Sequence, residues 1–91
     1  MTEKEVTPVD AEVSRRIKQE RLNAGLSQGK LGEHLGLTFQ QIQKYEASRN
    51  RVTIGRLVQV PAALGVPLAT FTEGLENLNN RRSATKRPAR K

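Results

Sequence analysis

Cysteine is absent from this chain, which excludes a disulfide framework and any zinc site built on thiolates. That composition fits a reducing cytosol. No apolar run approaches the roughly 18 residues needed to span a bilayer. The opening MTEKEVTPVD is charged and polar, unlike a secretory signal. A soluble, cytoplasmic protein with no membrane partner is therefore expected. The single histidine, His34, has no further ligands at a metal-binding spacing, so it reads as a surface side chain, and no metal or other cofactor is expected. The sequence also lacks a nucleophile–base pair and a phosphate-cradling glycine loop, which argues against an enzyme. What remains is a chain of 91 residues, enough for one modest core plus tails.

The net charge of +7 is unevenly placed. Residues 81–91, RRSATKRPARK, hold six of the sixteen basic residues and no acid. The ten basic residues left in 1–80 face nine acidic ones, a net of +1. The high isoelectric point is therefore mostly a property of the tail. Within 28–56, however, Lys30, Lys44, Arg49, Arg51 and Arg56 outnumber Glu33 and Glu46 by three. A local excess of this kind suits a polyanionic partner at that place.

Helical periodicity and capping residues organise the chain as an all-α, compact five-helix bundle. Residues 1–8 read as a disordered lead-in, 9–79 as the domain, and 80–91 as a basic disordered tail. Helix 1 is expected from a cap at Asp10 to Gly25, burying Val13, Ile17 and Leu22. Ser27 and Gly36 bound helix 2, and Thr38 caps a helix 3 that runs to about Ala47. Thr53 opens helix 4, which ends before Gly65. Helix 5 starts at Pro67 and runs through Phe71 toward Leu75 and Leu78. Pro61 falls inside helix 4, where a proline removes a hydrogen bond and clashes with a carbonyl four residues back, costing ~3 kcal/mol or more. A kink or break near Val58–Val60 is predicted.

Residues 27–47, SQGKLGEHLGLTFQQIQKYEA, are the most informative stretch. Leu31, Leu35, Leu37, Ile42 and Tyr45 give each of two short helices one apolar side, with Gly32 and Gly36 where the helices approach. At about 100° per residue, Phe39, Gln40, Gln43, Lys44 and Ala47 share the opposite half of helix 3. An outward polar set of this kind suits insertion into a DNA major groove.

The strings RIKQERLNAGLSQGKLGEHLGL, TFQQIQKYEASRNR and LGVPLATFTEG resemble the lambda repressor and Cro type of helix-turn-helix domain, also called XRE-like. The resemblance spans residues 13–74, about two thirds of the chain. It rests on an ordered set: a Leu-Ser-Gln helix start, Gly36 at the turn, an Ile-x-x-Tyr-Glu ending and a late Leu-Gly-Val. Two features depart from the family pattern. Pro61 stands where an alanine or similar helix former is usual, and Phe39 where a polar side chain is common.

Candidate contacts follow from side-chain chemistry. Glutamine can donate and accept at once, matching adenine N6 and N7, so Gln40 and Gln43 are candidate base readers. Lys44 can reach guanine or a phosphate, and Phe39 can pack on a thymine methyl or fold back onto the core. The resemblance places Gln40 and Lys44 at positions that contact base edges. Gln28, at the start of helix 2, suits a phosphate, and the resemblance implies that its amide could brace Gln40. Thr38, Gln41, Arg49, Asn50 and Arg51 complete the candidate contacts to the DNA backbone. Gln41 sits at the edge of the wheel, either at a phosphate or idle. The resemblance further implies a structural ion pair between Arg21 and Glu46.

These readings converge on a transcriptional regulator that binds double-stranded DNA as a homodimer on an inverted repeat, repression being the expected mode. A stripe of Phe71, Leu75 and Leu78 is the expected dimer face. The basic tail suits non-specific DNA contact, with a solvated end as the alternative. Within the class, an antitoxin with a toxin partner or a restriction–modification controller are variants. A protein-interaction adaptor of the same fold is the alternative outside it.

Overall fold

Hydroxyl side chains start the first four helices. The computed structural model describes residues 6–82, with side chains through Leu78. Helix α1 spans Pro8–Asn23. Thr7 Oγ1 accepts from Asp10 N at 3.1 Å, and Thr7 N donates back to the Asp10 carboxylate at 2.9 Å. This closes a capping box with Pro8 in the first turn. Asp10 is thus the third residue of the helix and not the cap, and the helix starts earlier than the sequence reading placed it. Of the expected lead-in, residues 1–5 lie outside the described residues.

The inward side of α1 carries Val13, Ile17 and Arg21, all buried, whereas Leu22 is 52% exposed. Steps of four residues drift by only about 40° around a helix, and a step of five by about 140°. The inner stripe therefore continues to Arg21, correcting the placement of Leu22. On the exposed side, Glu12 accepts from Arg15 and from Arg16, each at 2.8 Å. Hydrogen bonds from the two guanidinium groups lower the Glu12 carboxyl to about 2.

Helix α2 (Gln28–Leu35) is capped by Ser27 and ends at Gly36, whose φ of 73° is left-handed. Helix α3 (Phe39–Glu46) begins with a second capping box, formed by Thr38 and Gln41. Between them the chain turns so tightly that a Cβ on Gly32 would lie 2.5 Å from the Leu37 carbonyl oxygen. Only glycine fits there without displacing backbone.

Helix α4 (Ile54–Leu64) is capped by Thr53 and runs unbroken through Pro61. The break expected near Val58–Val60 does not occur. Pro61 lies close to the helix C-terminus with its ring buried in the domain, and its carbonyl accepts from Val66 N at 3.0 Å. Burial and this capping bond offset the missing N–H. The fifth helix is divided into α5 (Ala69–Thr72) and α6 (Leu75–Arg82). Glu73 is extended and Gly74 has φ 80°, so the chain changes direction there. Helix α6 carries three residues of the expected tail, Asn80, Arg81 and Arg82, and residues 83–91 lie outside the described residues.

Val13, Ile17, Leu31, Ile42, Val60 and Phe71 form the core, with Leu35, Leu37, Leu57, Leu64 and Leu75 among those packed around it. Helix α1 packs against α3, α4, α5 and α6, and α2 against α3 and α4. Phe71 is fully buried, which removes it from the expected dimer stripe. Every regular element among the described residues is helical, giving the all-α bundle with its last helix in two pieces. No described helix is long and apolar enough to cross a membrane.

Candidate nucleic-acid interface

The orientation of α3 is fixed from its inner side. Ile42 is buried in the core, and Glu46 one turn on meets Arg21. Arg21 Nε donates to Glu46 Oε2 at 2.6 Å and Arg21 Nη2 to Oε1 at 3.0 Å, a bidentate pair. Arg21 Nη1 also donates to the Leu26 carbonyl at 2.7 Å. The two side chains are 8% and 4% exposed, so water screens the pair little. Gln28 Nε2 donates to the same Glu46 Oε1 at 3.0 Å. The brace implied for Gln40 therefore goes to Glu46, because the carboxylate is a stronger acceptor than an amide. Three helices meet at this one carboxylate, and Arg21 ties it to the turn before α2.

The outer side of α3 is the opposite in character. Phe39, Gln40, Gln43, Lys44 and Ala47 are exposed, and Phe39 is not part of the core. Gln40, Gln43, Lys44, Ala47 and Arg49 line an open recess of ≈ 380 Å³. Amide donors and acceptors thus stand beside two cations. At the N-terminus of α3, the Gln41 side-chain oxygen accepts from Thr38 N at 2.9 Å, and Thr38 Oγ1 accepts from Gln41 N at 3.2 Å. Both candidate backbone contacts are already engaged in capping, but the box does not use the Gln41 NH₂ donors.

Arg49, Asn50 and Arg51 are exposed in the loop that follows. Its main chain is anchored by Arg49 N donating to the Lys44 carbonyl at 2.8 Å. Among the described residues, Glu46 is paired inside with Arg21, and Lys30 with Glu33 at 3.4 Å, while Lys44, Arg49 and Arg51 form no ion pair. These three present the exposed positive charge of this stretch, since Arg56, also without an ion pair among the described residues, is directed at Leu35 and Gln59.

Two residues gain roles that the sequence reading did not assign. Arg56 turns inward, its Nη1 donating to the Leu35 carbonyl at 3.2 Å and to Gln59 Oε1 at 2.7 Å. It satisfies a carbonyl at the end of α2 and ties α4 to the helix-turn-helix. Sequence spacing gives no sign of a contact across 21 positions. Ser48 has φ 60°, the left-handed conformation just past α3. A signal for it was present, since α1, α2 and α4 are each followed by a left-handed glycine where α3 has serine.

Two short helices set by a tight turn, the second locked from within and open outward, define the helix-turn-helix class. The helix-turn-helix family model matches residues 17–71. The chain is 50% identical over 70 residues to an uncharacterized HTH-type transcriptional regulator of Sinorhizobium medicae, covering 77% of this chain and 50% of the relative. It is 48% identical over 82 residues to another of Sinorhizobium fredii, covering 90% and 56%. The chain spans about half the length of these curated relatives. Among solved structures, the restriction–modification controller protein C.Esp1396I, a tetramer in complex with its 35 base-pair operator, is similar at TM-score 0.69 and 28% identity, over 79% of this chain and 95% of that one. The chain belongs to the helix-turn-helix family.

Proposed function

We propose that this protein is a sequence-specific DNA-binding transcriptional regulator, acting as a homodimer on an inverted repeat, with α3 in the major groove. One observation carries the reading: a single eight-residue helix is locked on its inner side by Arg21, Glu46 and Gln28 and exposes Phe39, Gln40, Gln43 and Lys44 on the other. Fixed orientation with free hydrogen-bonding groups is what base readout requires. In this reading Gln40 and Gln43 address adenine, Lys44 guanine and Phe39 a thymine methyl. The Gln28 backbone N–H at the start of α2 and Thr38 and Gln41 at the start of α3, with Arg49, Asn50 and Arg51 beyond it, address phosphates. The HTH-type transcriptional regulators among its relatives support the regulatory role.

One such module covers little duplex, so a second half-site is the usual route to useful affinity. C.Esp1396I, bound to its operator as a tetramer, supports multimeric binding and makes a restriction–modification controller the second reading. With Phe71 in the core, any self-pairing uses other surface. Ile54 and Val58, one turn apart on α4, are 77% and 54% exposed.

Selection from a random duplex pool with the full chain tests this. An enriched inverted repeat that Gln40→Ala no longer binds supports a specific dimeric regulator. No enrichment, with all binding lost on removal of residues 81–91, would overturn it in favour of the adaptor.

A further inference from the structure

Five described residues have positive φ, and four of them are glycines. The fifth is Ser48, at φ 60°. An L side chain is strained in this conformation, because its Cβ crowds the following carbonyl, and glycine is not. The turn itself makes no use of the serine side chain. Ser48 N donates to the Tyr45 carbonyl at 3.1 Å, and Arg49 N and Asn50 N to the Lys44 carbonyl at 2.8 and 3.4 Å. A glycine would make all three bonds with less strain. What serine adds is a hydroxyl, and strain retained at a turn beside a binding face points to use of that group in a bound state.

Its surroundings indicate the partner. Ser48 stands between Ala47 and Arg49, both of which line the recess with Gln40, Gln43 and Lys44. It is half-buried, and the exposed cations Arg49 and Arg51 follow it directly. A small neutral donor among cations, at the edge of a groove-facing helix, matches a phosphodiester oxygen, a contact that serine hydroxyls commonly make. We infer that the Ser48 hydroxyl donates a hydrogen bond to a backbone phosphate of the duplex, holding the end of α3 down on the strand. The inference rests on the regulator reading and extends it by one residue. Because the donor carries no charge, it strengthens binding without releasing an extra counterion.

The test uses the full chain and the duplex recovered by selection. Ser48→Ala deletes the hydroxyl and keeps the Cβ strain, whereas Ser48→Gly deletes both. Each should weaken binding about ten-fold or more, the worth of one hydrogen bond to a charged acceptor. The slope of log affinity against log salt should stay unchanged, and only Ser48→Gly should raise Tm. In duplexes with single methylphosphonates, wild type should respond at one phosphate where Ser48→Ala no longer does. If both variants bind as tightly as wild type while Gln40→Ala does not, the Ser48 contact alone is wrong. If wild type enriches no duplex, the regulator reading fails and takes this contact with it.

Discussion

On the inner side of α3, Ile42 is 1% exposed and Glu46 is held by Arg21 and Gln28. On the outer side, Gln43 and Lys44 meet solvent between those same two residues. The inner groups have their partners within the protein, and the outer groups keep their hydrogen-bonding capacity for something else. The contrast shows how eight residues can divide two tasks: one side sets the angle of the helix, and the other presents chemistry at that angle. If the division is real, changes on the inner side should act on stability first, and changes on the outer side on binding alone.

The largest expected effect is therefore on the inner side. Glu46→Ala leaves the Arg21 guanidinium buried without its carboxylate, which costs about 3–5 kcal/mol. Against a typical total of about 5–15 kcal/mol, a denaturant titration should show a large drop in midpoint. The pair Arg21→Met with Glu46→Leu should recover most of it, since replacing both charges leaves neither unpartnered. A Glu46→Ala protein as stable as wild type would break the comparison.

Gly32→Ala comes next. Its methyl group would sit 2.5 Å from the Leu37 carbonyl oxygen, so backbone must move. Overpacking of this sort costs about 1–3 kcal/mol, read in the same titration.

On the outer side, Gln40→Ala should reduce discrimination by about 1–3 kcal/mol, roughly 5- to 150-fold, while stability stays within about 0.5 kcal/mol. Competition binding against mismatched duplexes, together with a thermal melt, checks both halves. A fall in Tm as large as that of Gly32→Ala would mean that the outer side also holds the fold. Arg49→Ala should weaken binding to all duplexes similarly and reduce the salt slope by about 0.9.

The smallest effect lies away from α3. The Glu12 carboxyl is lowered from 4.5 to about 2 by Arg15 and Arg16, so its contribution is complete above pH 4.5 and is lost as pH falls toward 2. Local helix pairs of this kind are worth about 0.3–0.5 kcal/mol each. The stability difference between wild type and Glu12→Gln should close over that interval in melts taken at descending pH.

The capping signals at Ser27, Gly36, Thr38, Thr53 and Gly65 are local, and they made α2, α3 and α4 legible in the sequence. Thr7 and Asp10 are both good capping residues, and only their reciprocal bonds show which one is the cap. Continuing the inner stripe of α1 to Arg21 is not an apolar pattern, because its partner is 25 residues away. The helix-breaking tendency of Pro61 was visible, but the burial that offsets it was not. Phe71, Leu75 and Leu78 share a helical spacing only if the helix continues, and Gly74 ends that premise. At the candidate site, periodicity was enough to give the exposed set on α3. The commitment of Gln28 to Glu46 and of Arg56 to Leu35 depends on how distant segments meet.

The close approach at Gly32 has a mechanical consequence. There is no slack between α2 and the turn, Leu37 N is bonded to the Gly32 carbonyl at 2.8 Å, and Arg56 grips the end of α2 from α4. A force applied to α3 would be passed on to neighbouring helices instead of being absorbed at the turn. In the proposed complex the protein would behave as the stiff member, so that any improvement in fit would come from bending or twisting the duplex. Target sequences would then be ranked partly by how easily they deform, even at base pairs that no side chain reaches.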